Sequence, residues 1–296
     1  MESSPERQPS PRGRSGPPTG DRRSRILAPL HAEGAKGVSI AVASTVVFLT
    51  VLVVVVVNSS GWPVVHQRFF NGEIFAQSLP EIARRFAINV QAFLIAEAFI
   101  LIVALFIAVL RNLPGPVFFP IRALAIAYTD LFRAVPTILV IYILGFGAPG
   151  LQLRAVPTSP FFWGVVALVL VYSAYVAEVY RAGIESVHPS QIAAARSLGL
   201  THWQSLRFVV IPQAVRRVVP PLLNDFIGLQ KDTALLALIG VLETFRRSQV
   251  EVAATFNFTP YFATALVFIV FTIPLTRTVD WLIGRERARR ESGGTA

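Results

Sequence analysis

The sequence predicts an all-α membrane protein with about six transmembrane helices, and three observations carry that prediction. Of its 296 residues 53% are hydrophobic and only 15% charged, with a mean hydropathy of +0.58, too apolar for an ordinary soluble surface. The apolar residues fall in blocks of the length a helix needs to cross hydrocarbon. The formal charge of +10 clusters beside those blocks, where anionic headgroups meet it, so it argues for membrane lipid as a partner and against nucleic acid.

Residues 1–35 are rich in Pro, Ser, Gly and Arg and lack apolar periodicity, which predicts a disordered tail. The first apolar block, Val38 to Val57, is too long and arrives too late for a secretory signal, so it reads as a retained first span. Residues 36–85 thus comprise an extra N-terminal helix and a linker. Further blocks run from about Phe86 to Leu110, Ala123 to Phe146, Phe161 to Tyr180, Val218 to Gly240 and Tyr261 to Ile283. With both ends in the cytoplasm, the inner segments hold about three times as many positive charges as the outer ones, which favours that orientation. Residues 286–296 then form a cytoplasmic tail. The third block contains Asp130, Arg133 and Pro136, and the fifth Pro220, Pro221, Asn224, Asp225, Gln230, Lys231 and Asp232. Both are expected to face protein or water rather than lipid.

The polar connector between the fourth and fifth blocks, residues 184–217, reads as two short helices. Ser190 is expected to cap the first, through Gln191 to Leu198, and Gly199 to end it with a positive φ. Thr201 and Gln204 have the spacing of a capping box for the second, which is expected to stop before Pro212.

The same connector carries Ala193-Ala194-Ala195, Gly199, then Val209, Ile211 and Pro212. It resembles the EAA motif of permease subunits of ATP-binding-cassette importers, the binding-protein-dependent inner-membrane components. The runs Tyr175 to Ile184, Gln191 to Leu200, Pro212-Gln213-Ala214, Pro220 to Ile227 and Lys231-Asp232-Thr233 narrow the resemblance to the polar amino acid permeases. Asp130-Leu-Phe-Arg133-Ala-Val-Pro136 is similar to that subfamily's E-x-F-R-G-T-P. Two departures stand out: Ala193 replaces the motif's glutamate, and Ala134-Val135 replace Gly-Thr.

The resemblance implies a type I importer permease core over residues 86–285, five helices preceded by the additional one, in a bacterial plasma membrane. It implies that the connector is a coupling helix seated on a cytoplasmic ATPase dimer, with Ala193, Ala194, Ala195, Gly199 and Pro212 at the contact. A second permease copy or homologue, an external solute-binding protein and a small polar solute of the amino acid kind complete the assembly. ATP and magnesium belong to the ATPase, and no cofactor or metal is expected on this chain, which has no G-x-x-x-x-G-K-[ST] loop.

Intramembrane polar groups supply the candidate solute pathway. Glu97 sits mid-block, the costliest depth for a carboxylate, and is set beside Glu178, Asn224, Gln230, Lys231 and Asp232. Asp130 with Arg133, and Glu178 with Arg181, are three apart and so suited to structural ion pairs along one helix face. A membrane enzyme fits poorly, since there is no H-E-x-x-H, no G-x-S-x-G and no cysteine, and the four histidines lie apart. An ATP-independent carrier or channel would explain the buried charge but not the connector.

Overall fold

A computed structural model describes residues 34–113 and 115–292, and every described element is a helix or a connection between helices. The tail expected over residues 1–35 lies outside them except for its last two residues, which already belong to a helix.

The chain divides into two units after Val64. The first contains helix α1, Gly34–Val57, whose valines, leucines and isoleucines are exposed along its length, as suits a side chain meeting lipid rather than a protein core. Helix α2, Trp62–Phe69, runs across the division.

The second unit is built on α3, Gly72–Arg111, and α6, Pro160–Glu185. Asn71 caps α3 by accepting from the Glu73 and Ile74 N–H groups at 3.0 and 3.1 Å. Ala92, Ala96, Ile100 and Ala104 recur every four residues along α3 and are fully buried. This stripe lets α3 approach the Ala167, Leu168, Val171 and Ala174 face of α6 closely enough for dispersion contacts, which drive helix association where water is absent. Gly183 gives the same freedom to the crossing of α6 with α9, Ile211–Asp232, since a Cβ there would run into Val218. Helix α11, Thr259–Ser292, closes the unit against α3.

The third apolar block is not one straight helix. It forms α4, Phe119–Ala134, and α5, Thr137–Tyr142, which continues through a π turn at Ile143–Gly147, and the two halves are bent by 103°. Val135 sits at φ −86° and ψ 128° because the following Pro136 pushes it out of the helical region. The fifth block also breaks: α9 ends at Asp232 and Thr233–Ile239 tightens into a 3₁₀ segment, closed by Gly240 at φ 86°. Among the described residues four helices are long and apolar enough to span a membrane, five if the bent pair counts as one. The sixth expected span is the α9 region, whose Arg216, Arg217, Asp225, Lys231 and Asp232 dilute its apolar character. Two short helices complete the connector, α7 at Pro189–Ser197 and α8 at His202–Ser205, and α10, Thr244–Thr255, lies between α9 and α11.

Candidate functional site

Helix α7 begins two residues earlier than expected. His188, not Ser190, is its cap, with the imidazole Nδ1 accepting from the Ser190 N–H at 3.2 Å, because Pro189 is ready-made for the first helical position. Its end matches expectation closely. Gly199 has φ 83°, its N–H donates to the Arg196 carbonyl at 2.9 Å, and the Leu200 N–H reaches the Ala195 carbonyl at 3.2 Å. These two bonds form a Schellman motif, the stop that a glycine in the left-handed region supplies. The capping box is also present. The Thr201 N–H donates to Gln204 Oε1 at 2.8 Å, and the Gln204 N–H donates to Thr201 Oγ1 at 3.3 Å.

Pro212 does not end a helix as expected. Leu206–Val210 forms a π turn, closed by the Ile211 N–H on the Leu206 carbonyl, that runs directly into α9, where Pro212 takes an early position that needs no N–H donor. The helical backbone therefore runs without a break from α8 through the π turn into α9.

The connector presents Ala193, Ala194, Gly199 and Pro212 to its surroundings, whereas Ala195 is buried. A small cluster of Val187, Val210 and Ala214, with Ile192 and Leu206 against it, holds the two short helices to the start of α9. A Cβ at Gly199 would meet no atom within 4 Å, so the glycine is needed for its backbone angle and not for room within the chain.

Above the connector, Glu178 gathers arginines from three helices. It accepts from Arg111 at the last turn of α3 at 2.9 Å and from Arg181 on its own helix, and Arg133 of α4 approaches to 3.9 Å. Arg133 thus turns towards Glu178 and not towards Asp130, which is exposed, so the expected Asp130–Arg133 pair is replaced by a cross-helix contact. Arg111 also donates to Thr129 at 3.0 Å. The sequence reading missed Arg111, because nothing in a single chain's order says that residues 111 and 178 meet.

The remaining polar candidates separate. Glu97 and Asp225 are half-buried on α3 and α9, near enough for their charges to act on each other, and neither has a hydrogen bond or ion pair among the described residues. Asp232 accepts from the Tyr172 hydroxyl at 3.0 Å. Gln230 is buried, and its carbonyl accepts from Thr272 of α11 at 2.8 Å, a tie between helices. Asn224 and Lys231 are exposed.

A further polar cluster, also missed, sits near the middle of α3, against the start of α10. Asn89 donates to Glu243 at 2.8 Å and to Thr233 at 3.2 Å, and its carbonyl accepts from the Thr244 N–H at 3.2 Å. Glu243 is fully buried and caps α10, accepting from the Phe245 and Arg246 N–H groups at 2.9 and 2.7 Å. Burial pushes its carboxyl above the ordinary range, against the pull of those three hydrogen bonds.

Residues 116–288 match the family described as binding-protein-dependent transport system inner membrane component. Among curated relatives, the probable glutamine ABC transporter permease protein GlnM of Bacillus subtilis is 37% identical over 189 residues, 64% of this chain and 84% of that one. The arginine transport system permease protein ArtQ of the same organism is 35% identical over 160 residues, 54% of this chain and 72% of that one. A crystal structure of an amino acid ABC transporter with histidines superposes with a TM-score of 0.67 at 29% identity, covering 73% of this chain and 98% of that one. The MetNI methionine ABC transporter in an inward-facing form shares the fold, with a TM-score of 0.54 at 16% identity over 69% of this chain and 95% of that one.

Proposed function

The chain belongs to the family of binding-protein-dependent transport system inner membrane components, as the multi-pass permease subunit of an ATP-binding-cassette importer, and on that premise we propose how it works and on what. Its solute is an amino acid, in keeping with relatives named for glutamine and arginine. The work comes from a separate ATPase dimer that carries the ATP and magnesium, and this chain contributes no hydrolytic site of its own. Both termini and the connector face the cytoplasm, and α10 faces outwards towards a solute-binding protein. Two permeases, identical or homologous, enclose the pathway.

One observation carries the mechanism: the Schellman stop at Gly199 and the capping box at Thr201 make a compact double helix that is fused through a π turn to α9. A push on Ala193, Ala194, Gly199 or Pro212 by a closing ATPase therefore reaches the helix that carries Asn224, Asp225, Lys231 and Asp232. Of the pathway candidates, Glu97, Asn224 and Lys231 remain the best placed, because Gln230 is buried with its carbonyl held by Thr272, Asp232 is held by Tyr172 and Glu178 by its arginines.

The test is solute-stimulated ATP hydrolysis and uptake in reconstituted vesicles. Gly199→Val places a β-branched residue at φ 83°, which such residues strongly resist, and both rates are expected to fall together while the protein still inserts. Wild-type rates for both would remove the coupling role. Glu97→Gln is expected to change solute affinity or selectivity, and no change in affinity, selectivity or rate would take Glu97 out of the pathway.

A further inference from the structure

Helix α4 leaves one face uncovered. Phe119, Ala123, Ala127, Asp130 and Ala134 follow at steps of four, four, three and four, which sets them along a single side of the helix. Ala123 is partly covered and the others are exposed, while the buried Ala125 and Thr129 turn to the opposite side. Lipid suits Phe119 but not a carboxylate, and the Asp130 side chain has no ion pair or hydrogen bond among the described residues. The charges nearby point to what covers this face. Arg111, Arg133 and Arg181 gather on Glu178, and Arg181 also holds Glu185, so three guanidinium groups share two carboxylates and one positive charge is left over. The surplus falls on Arg133, whose side chain is 41% exposed, approaches Glu178 only to 3.9 Å and lies over the Tyr175 ring at 6.0 Å.

We propose that this face of α4 docks against α4 of a second copy of the chain, with Asp130 of each copy paired to Arg133 of the other. The inference rests on the reading of the chain as one of two permeases, and it decides for an identical partner over a homologous one. A twofold axis along the membrane normal puts equal residues at equal depth and makes every contact reciprocal, so one sequence holding both charges complements itself. Helical side chains lean towards the N-terminus. The Arg133 guanidinium therefore comes level with residue 130, about 4.5 Å back along the axis, and reaches the carboxylate of the facing copy. Ala123, Ala127 and Ala134 let the two backbones approach closely, as small residues do between helices in membranes. Each copy thus supplies the carboxylate that the other's arginine cluster lacks.

The experiment co-expresses the full chain in two differently tagged copies and measures recovery of one tag on the other in phosphatidylcholine nanodiscs. Asp130→Lys in both copies, or Arg133→Glu in both, sets like charges opposite each other twice, and recovery is expected to fall about tenfold. One Asp130→Lys copy mixed with one Arg133→Glu copy restores both opposite-charge contacts, and recovery is expected to return to the wild-type level. A pair formed within one chain predicts no such rescue. The chain has no cysteine, so Ala127→Cys alone is expected to give a doubled mass with a short bismaleimide, whereas Ile102→Cys, 67% exposed on α3, is not. The cysteine variants change no charge and decide the face even where a charge variant fails to insert. Failure of the mixed pair to recover would overturn the reciprocal ion pairs, and absence of a cross-link at Ala127 would overturn the α4 face. Either result with wild-type chains that still pair and support solute-stimulated ATP hydrolysis leaves the importer reading standing. A wild-type chain recovered only with a homologous permease would overturn the second copy as occupant, and one that pairs with neither would overturn the two-permease reading itself.

Discussion

The two ends of the second unit are built to opposite specifications. At the α10 end, Asn89, Thr233, Glu243 and Thr244 are buried and hydrogen-bonded across elements more than 140 residues apart in sequence. Nearby, Ser78 bonds Glu251, Ser248 bonds Thr264, and the Phe258 N–H donates to the Arg68 carbonyl at 2.7 Å. At the connector end the hydrogen bonds join residues a few positions apart, except where Arg217 reaches the Ser186 carbonyl, and the apolar cluster of Val187, Val210 and Ala214 stands apart from the main core. Buried polar groups hydrogen-bonded across distant elements favour one arrangement, whereas segments with few long-range buried contacts open at lower cost. One end is thus a frame and the other a lever. Between Ser78 and Arg111 the 33 residue steps of α3 span roughly 50 Å at 1.5 Å per residue, so the two act at a distance.

The largest expected effect is on the frame. Glu243→Ala leaves one buried Asn89 donor and the part-buried Phe245 and Arg246 N–H groups without their acceptor, at a cost of about 3 kcal/mol. Thermal unfolding in detergent is expected to shift downwards by several degrees, and an unchanged midpoint would show that this end does not limit stability. Gly199→Val is the matching cut in the lever. Its strain is about 1–3 kcal/mol but is confined to an exposed turn, so the unfolding midpoint is expected to move little while coupled uptake falls tenfold or more. Reversed outcomes, an inactive but stable Glu243→Ala and an active but unstable Gly199→Val, would break the division into frame and lever.

Much of the lever was legible in the sequence because its signals are local. Gly199, Thr201 and Gln204 act through hydrogen bonds spanning three to five residues, so the sequence alone predicts the left-handed stop at Gly199 and the capping box. Where local signals compete, the reading failed: Pro189 outbid Ser190 for the helix start, and a π turn carried the backbone through Pro212. The frame was hardly legible. Asn89 and Glu243 look like a stray amide and a loop carboxylate until the fold brings them to 2.8 Å. The bend at Val135–Pro136 was readable from proline chemistry, but the block around it, Ala123 to Phe146, has the length of one span and was read as one.

Glu178 joins the two regimes, since its arginines come from the last turns of α3 and α4 and from α6 just above the connector. Glu178→Gln removes the charge that holds three guanidinium groups together and is expected to cost about 1–2 kcal/mol. If the cluster belongs to the moving end, the same change is also expected to raise uncoupled ATP hydrolysis. A drop in stability with unaltered coupling would place Glu178 with the frame instead.

The smallest expected effect is a pH dependence confined to the frame. Glu243 lies outside the spanning helices, and burial raises its carboxyl from the model-compound value of 4.5. The folded protein therefore holds this proton at pH values where the unfolded chain has released it. The associated stability is fully present below about pH 4.5 and is lost as the pH rises through the folded value. Glu243→Gln keeps the shape without the titration, so the excess stability of wild type over the glutamine variant is expected to shrink as the pH is raised from that point. Taking the difference between the two proteins cancels the titration of every carboxyl they share. A difference that stays constant with pH would mean that the three donors hold the carboxylate as firmly as water does, and that burial at this end is fully compensated.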